Sequence, residues 1–396
     1  MPKEIDIKIK DALAQELHKG VPILLKDGFD DTDSLPEGTI LKLRNPGGKF
    51  VGKGYVGKQN KGMGWLLTKN ENEPIDTNFF QKKIAAAIKH RADYFNNSET
   101  TAFRVFNGEG DGIGGLTIDY FDGFYLISWY SEGIYSFKEM ILAGLEASVT
   151  YKGIYEKKRF DTKGQYLEDD DFVKGERGEF PLIVKESGQN FAIYLNDGAM
   201  VGVFLDQRDV RKKIRDAYSK GKTVLNTFSY TGAFSVFAAA GGATKTTSVD
   251  LAKRSLSKTT EQFEVNRIDA EKQDIIVMDV FDYFKYAKRK ELAFDVVILD
   301  PPSFARSKKY TFSSSKDYTN LLKDAISITE KNGVIVASTN NATFGMKKFK
   351  TFVEKAFKDS NRKYTIEEEF SLPSDFKTSP LFKEGNYLKV LFVRAK

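Results

Sequence analysis

Apolar residues in the first seventy positions fall in short runs cut by glycine, proline and asparagine. Residues 22–26, 38–43, 49–57 and 65–67 each read as a strand, and together they predict a small β-barrel. The spacing then changes: Phe80, Ile84, Ala87, Ile88, Ala92 and Phe95 recur at roughly the helical period, which predicts a helix over 79–95 carrying Lys82, Lys83, Lys89 and Arg91. Strands are predicted over 101–106 and over 116–120 continuing to 124–129, separated by a glycine-rich loop, with a helix at 136–147. These elements make a middle α+β unit.

From about Asn190 the grammar becomes strand, glycine-bearing turn, helix, repeated. Strands are predicted at 223–226, 245–250, 274–278, 294–299, 333–338, 365–370 and 389–393. Helices are predicted at 232–240, 252–266, 280–290, 315–332 and 347–359. That alternation implies a doubly wound, mostly parallel α/β sheet with ligands at the carboxyl ends of its strands. The expected domains are 1–72, 73–188 and 189–396.

Composition narrows the chemistry. The 396 residues allow two to three domains at about 150 each, and 41% hydrophobic content suffices for a core in each. Mean hydropathy is −0.41, no apolar run approaches the roughly 18 residues of a spanning helix, and residues 1–6 have no apolar signal core. The expectation is a cytoplasmic protein without membrane association. With no cysteine and only His18 and His90, a disulfide, a thiolate nucleophile, a zinc knuckle and an iron–sulfur site are excluded, and no metal is expected. A net charge of +6 is too weak to define a nucleic-acid binder by itself. Its distribution says more: residues 40–69 hold seven bases (Lys42, Arg44, Lys49, Lys53, Lys58, Lys61, Lys69) and no acid, next to an acidic stretch at 27–37. Such a run suits either an RNA contact or a solvated face.

The candidate chemistry sits at predicted strand ends. Asn226-Thr227-Phe228-Ser229-Tyr230-Thr231-Gly232 follows one strand and opens a helix, so backbone can approach a ligand there. Asp250 ends the next strand, where an acid can accept from both ribose hydroxyls. Asp279 lies just past the third, suited to an adenine amine, and Asp300-Pro301-Pro302-Ser303-Phe304 follows the fourth. Each alone fits an acid that caps a helix in a generic Rossmann-like sheet; all four in order point to a bound nucleoside. Gly110-Asp111-Gly112-Ile113-Gly114-Gly115 also satisfies G-x-G-x-x-G. Its glycines lead into a strand, and Glu109 and Asp111 would repel a pyrophosphate, so a tight hairpin is the better reading.

These residues resemble the S-adenosylmethionine motifs of bacterial class I rRNA methyltransferases of the RlmI and RlmK type. Gly202-Val203-Phe204-Leu205-Asp206-Gln207-Arg208-Asp209-Val210-Arg211 is similar to that family's G-x-F-L-D-Q-R-x-x-R segment. Residues 104–119 are similar to its R-x-x-x-x-E-x-D-x-x-x-G-L-x-x-D hairpin, and the N-terminal barrel to its PUA domain. The resemblance implies a Rossmann-like methyltransferase domain behind a PUA-like β-barrel and an α+β middle domain. The cofactor is then S-adenosyl-L-methionine, held by Arg208, Asn226, Phe228, Ser229, Tyr230, Thr231, Gly232, Asp250, Asp279, Val280, Asp300 and Pro301. The substrate is 23S rRNA or a large-subunit assembly intermediate, and a homodimer is left open.

RlmI-like members methylate cytosine C5 through a cysteine, which this chain lacks. After the strand at 334–337 it reads Ser338-Thr339-Asn340-Asn341-Ala342-Thr343-Phe344, similar to the S-N-N segment of the RlmK branch, which methylates guanine N7; Thr339 interrupts the match. Guanine N7 has a lone pair and no proton, so direct displacement needs orientation more than a base. Asp300, Asn340 and Asn341 are the expected catalytic residues; Pro302, Phe304, Arg306, Lys308 and Phe344 are expected at the substrate. The bland reading of Asn340 and Asn341 is an asparagine-capped turn. N2-guanine or N6-adenine methylation, and an inactive RNA-binding relative, are the alternatives.

Overall fold

In Glu4-Ile5-Asp6-Ile7-Lys8 every second residue is apolar, and it forms a strand, β1 (Glu4–Lys8), that the run-based reading above misses. The computed structural model describes residues 3–30, 35–59, 62–160, 171–198, 200–306 and 309–396. Two units separate: one of Met1–Val184, Tyr194–Val201 and Ser374–Gly385, the other of Lys185–Ile193, Gly202–Pro373 and Asn386–Lys396.

In the first unit β1 joins β2 (Ile23–Leu25), β3 (Ile40–Arg44), β4 (Phe50–Val56) and β5 (Gly62–Thr68) in a sheet ordered β1-β3-β4-β5-β2. A helix that the sequence reading also lacks, α1 (Asp11–Lys19), buries Leu13, Ala14 and Leu17 in a core with Leu24, Leu41, Val51 and Met63. Gly64 is required where β4 and β5 cross closely, since a Cβ there would stand 1.8 Å from the Tyr55 carbonyl oxygen.

The middle elements are α2 (Thr77–His90), capped by Asp76 accepting from Phe79 N at 2.9 Å, α3 (Ala92–Phe95), β6 (Ala102–Asn107), β7 (Leu116–Phe121), β8 (Phe124–Trp129), α4 (Glu132–Tyr135), α5 (Lys138–Glu146), β9 (Gly153–Lys158) and β10 (Phe172–Gly175). Their sheet runs β10-β9-β8-β7-β6. The stretch expected to continue from 116 to 129 is two antiparallel strands, because Asp122 and Gly123 both take positive φ (47° and 97°), the conformation of a two-residue hairpin turn. The glycine-rich segment joins antiparallel β6 and β7 and enters a strand, so it is a hairpin.

β11 (Leu182–Glu186) and β12 (Gln189–Ile193) come where the chain passes into the second unit, followed by α6 (Arg208–Lys213). The alternation expected from 223 onward is observed: β13 (Thr223–Thr227), α7 (Ala233–Ala240), β14 (Lys245–Asp250), α8 (Arg254–Glu264), β15 (Asp274–Val277), α9 (Val280–Arg289) and β16 (Phe294–Leu299). An unforeseen hairpin, β17 (Phe304–Arg306) with β18 (Thr311–Ser313), precedes α10 (Ser314–Ser327), β19 (Thr329–Thr339), α11 (Met346–Asp359), β20 (Tyr364–Phe370) and β21 (Lys389–Ala395). The helix expected to reach 332 stops at Ser327; Asn332 takes a left-handed conformation (φ 63°) within the register shift where β19 begins.

The sheet order is β15-β14-β13-β16-β19-β21-β20, with β21 antiparallel to both neighbours and the first five strands mutually parallel. Alternate residues face opposite layers: Leu225, Val297 and Ile335 join one core, Val224, Val296 and Val334 the other. This is the Rossmann-like α/β fold expected. Among the described residues no helix is long and apolar enough to cross a membrane.

Candidate functional site

Parallel neighbours place their carboxyl ends on one edge, so the turn at 226–232, Asp250, Asp279, Asp300 and the segment 338–341 share that edge of the second unit. The turn after β13 is built on three left-handed residues in alternation, Phe228 (φ 54°), Tyr230 (53°) and Gly232 (76°). Two of these carry side chains that resist the conformation, and such strain is retained where backbone must meet a ligand. A Cβ on Gly232 would lie 2.4 Å from Thr259 Cγ2. Ser229 N donates to Val249 O at 3.1 Å, and Thr231 Oγ1 to Gly202 O at 2.6 Å. With Ser229 and Thr231 buried, this turn offers a ligand mainly its backbone.

Asp250 accepts from Tyr230 N (2.9 Å) on Oδ2 and from Ala252 N (2.8 Å) on Oδ1. A carboxylate oxygen has two lone pairs, so each retains one for a hydroxyl. Asp279 caps α9 through Oδ1, which accepts from Phe281 N at 3.0 Å, while Val280 is buried in the core. Phe228, Phe281 and Phe312 pack their rings with centroids 5.9–6.5 Å apart beside these acids.

Asp300 is held by a residue the sequence reading did not single out. Gln207 Nε2 donates to Asp300 Oδ1 (2.9 Å) and to Ser338 Oγ (2.8 Å), and Arg208 beside it is buried. Burial pushes the Asp300 carboxyl up to about 6, with the Asp206 charge adding to the rise and Ser338, Arg211 and Gln207 opposing it. Arg211 is fixed by a bidentate pair with Glu186 (both 2.7 Å). Among the described residues, two buried acceptors here lack a partner: Gln207 Oε1 and Asn226 Oδ1, the latter's Nδ2 donating to Ser235 Oγ at 3.0 Å.

Beyond Asp300, Pro301 is buried and Pro302 exposed. Phe304 is 63% exposed, an apolar ring left open to solvent, and Arg306 is exposed; Lys308 lies outside the described residues. Asn340 is exposed, and its Oδ1 accepts from Ser303 Oγ at 2.6 Å, tying the loop after β16 to the loop after β19. Asn341 is buried and engaged at both ends of its amide: Nδ2 donates to Ser314 Oγ (2.9 Å), and Oδ1 accepts from Thr343 N (2.8 Å) and Oγ1 (2.7 Å). Phe344 is half-buried against Phe349 and Phe352. The structure thus brings Asp300, Asn340 and Phe304 to one solvent-facing edge, and gives Asn341 and Phe344 partners within the protein. Lys389, also absent from the sequence expectations, stands beside Asn341; its signal was a lysine opening a terminal strand whose next four residues, Val390 to Val393, are apolar and buried.

The site fits a nucleoside sulfonium with an ammonium group. It offers carboxylates for hydroxyls and an amine, backbone at a strained turn, and two buried acceptors in want of donors. A sequence model described as S-adenosylmethionine-dependent methyltransferase matches residues 104–380, and one for a PUA-like domain matches 7–69. The chain is 60% identical over 98% of its length, and 99% of the relative's, to a Bacillus subtilis protein named "Putative ribosomal RNA large subunit methyltransferase YwbD". It is 28% identical to the ribosomal RNA large subunit methyltransferase I of Aeromonas salmonicida, covering 95% of each chain. A solved structure described as "Crystal structure of SMU.776, a putative methyltransferase complexed with SAH" is similar with TM-score 0.91 and 39% identity, over 98% of this chain and 100% of that one.

Proposed function

Because the chain belongs to the S-adenosylmethionine-dependent methyltransferases, we propose that it methylates a base of large-subunit (23S) rRNA and that guanine N7 is the acceptor. The rRNA substrate is supported by the 60% identical relative's name. The observation that carries N7 is Asn340, exposed and hydrogen-bonded to Ser303 in a site built without cysteine. Both histidines lie in the first unit, on α1 and α2. A ring nitrogen with a free lone pair requires neither nucleophile nor base, so this donor set suffices for it.

When bound, the cofactor supplies an electrophilic methyl group. Asp250 accepts from the ribose hydroxyls, the second Asp279 oxygen from the adenine amine, and Gln207 Oε1 and Asn226 Oδ1 from N–H donors. Asp300, above about pH 6 a carboxylate, accepts from the guanine N1–H or its amine. Asn340 holds the base edge, and Phe304 stacks on the ring and displaces water. Arg306, Lys347 and Lys348 neutralise phosphates. Every residue in this scheme comes from one chain. An rRNA substrate puts the enzyme to work in the cytoplasm, and the N-terminal barrel, 1–72, is assigned to RNA and 73–188 to the middle domain.

The test is transfer of labelled methyl from S-adenosylmethionine to 23S rRNA and to large-subunit precursor particles from a strain lacking the gene, followed by nucleoside mass spectrometry. The expected product is 7-methylguanosine. N2-methylguanosine or N6-methyladenosine would overturn the base assignment and shift the emphasis to Asp300-Pro301-Pro302 as an amine-orienting loop.

A further inference from the structure

Lys389 begins β21 opposite Thr339 of β19 and is 4% exposed. Its Nζ donates to Asn341 O (2.6 Å) and Tyr387 O (2.5 Å), and lies 5.3 Å from the centroid of the Phe344 ring. Charged groups on the surrounding elements are Asp206, which accepts from the Tyr387 hydroxyl at 2.8 Å, Asp300 beyond Ser338, Glu369 on β20, paired with Lys350, and Lys347 and Lys348 on α11. Among the described residues, none of the acids forms an ion pair with Lys389. A buried ammonium without an acid is an expensive way to satisfy two carbonyls, and a bare amine would satisfy both. What the charge adds is stronger hydrogen bonds to loop backbone.

Those bonds bear on one place. The Asn341 side chain is fixed by Ser314 and Thr343, its carbonyl by Lys389, and the adjacent Asn340 then reaches Ser303. We propose that Lys389 is a positioning residue for methyl transfer: its ammonium locks the Asn341 carbonyl and so sets the angle at which Asn340 meets the target base. The inference rests on the reading that this loop receives the base. Desolvation lowers the Lys389 ammonium to about 8, so the lock weakens in mild alkali.

The experiment compares wild type, Lys389→Met and Lys389→Arg in methyl transfer to 23S rRNA from pH 6 to 10, with hydrogen exchange of the 340–344 amides measured alongside. Lys389→Met is expected to lower kcat at least tenfold, with the S-adenosylmethionine-induced melting shift retained and the KM for RNA changed less than threefold. Its 340–344 amides are expected to exchange at least tenfold faster. Wild-type kcat should fall several-fold between pH 7.5 and 9.5, and Lys389→Arg, whose guanidinium keeps its charge, should lose that limb. Unchanged exchange in Lys389→Met, or an alkaline limb retained in Lys389→Arg, overturns the proposal. Should Lys389→Met fail to fold, the arginine profile decides. A product other than 7-methylguanosine would refute the base assignment alone, because kcat and exchange are read without reference to which base is modified.

Discussion

Asp300 is a carboxyl whose burial works against its charge. Its folded value of about 6 lies above the ordinary 3.8 because burial disfavours the charge. The folded state therefore binds this proton more tightly than the unfolded chain does. Its contribution favours folding below the unfolded value and is lost as pH rises through about 6, so at neutral pH the ionised group works against the fold. Asp300→Asn is accordingly expected to raise the melting temperature at pH 7.5, by an amount equivalent to about 1–3 kcal/mol, while reducing methyl transfer at least a hundredfold. Calorimetry with the transfer assay checks both. Wild-type transfer should also decline as pH is lowered through about 6. At Asp250 the expected effect differs: Asp250→Ala removes the melting shift that S-adenosylmethionine produces, which at a hundredfold excess over Kd corresponds to about 2.7 kcal/mol. A shift of wild-type size would show that the carboxylate does not hold the ribose.

At the scale of elements, the turn after β13 is a constrained piece of backbone, with Phe228, Tyr230 and Gly232 all at positive φ. Gly232→Ala meets both a positive φ and the Thr259 side chain, and is expected to cost about 1–3 kcal/mol in urea unfolding while weakening the response to cofactor. Unfolding at the wild-type midpoint would mean that α8 gives way. This turn was legible in the sequence because small residues between a buried strand and a helix leave few alternatives, and the acids were legible because parallel strands bring successive ends to one edge. β14 and β16 match the expected strands residue for residue. Other parts were hidden for physical reasons. β1 exposes alternate residues and has only two apolar positions; α1 has nine residues and no side-chain cap. Gln207 and Lys389 draw their roles from groups 93 and 48 residues away, Asp300 and Asn341, which no local pattern announces.

For the molecule as a whole, charge is less concentrated than the sequence suggests. Within the basic run of the barrel, Lys42 pairs with Glu4, Arg44 with Asp6 and Glu71, and Lys53 stands 3.6 Å from Glu4. β1 thus neutralises much of it, and the Glu4 carboxyl is held below its usual value chiefly by the Lys42 hydrogen bond. Phosphate contacts next to the target base are proposed for the exposed bases around the site. The double variant Lys347→Ala, Lys348→Ala is expected to flatten the logarithmic dependence of RNA binding on salt by about 1–2 units with little effect on which base is modified; an unchanged slope would place those lysines outside the RNA footprint. The first unit depends on a late segment too: Arg91 donates to both Asp111 oxygens and to Asp375 O, all buried. Removing that guanidinium by Arg91→Met is expected to cost about 3 kcal/mol, the low end for a broken buried pair, since Asp111 stays buried but still faces Lys377 at 3.8 Å.

β21 has a consequence for how the protein is born. It lies between β19 and β20 yet is translated after both, and the Asp375 segment is translated only shortly before it. At about 5–20 residues per second, a nascent chain that already holds every carboxylate of the site spends several seconds with the apolar edge of β19 unpaired. During synthesis the edge left open to a wrong partner is therefore the one beside the loop that holds Asn340, and slow decoding between β19 and β21 would lengthen that exposure.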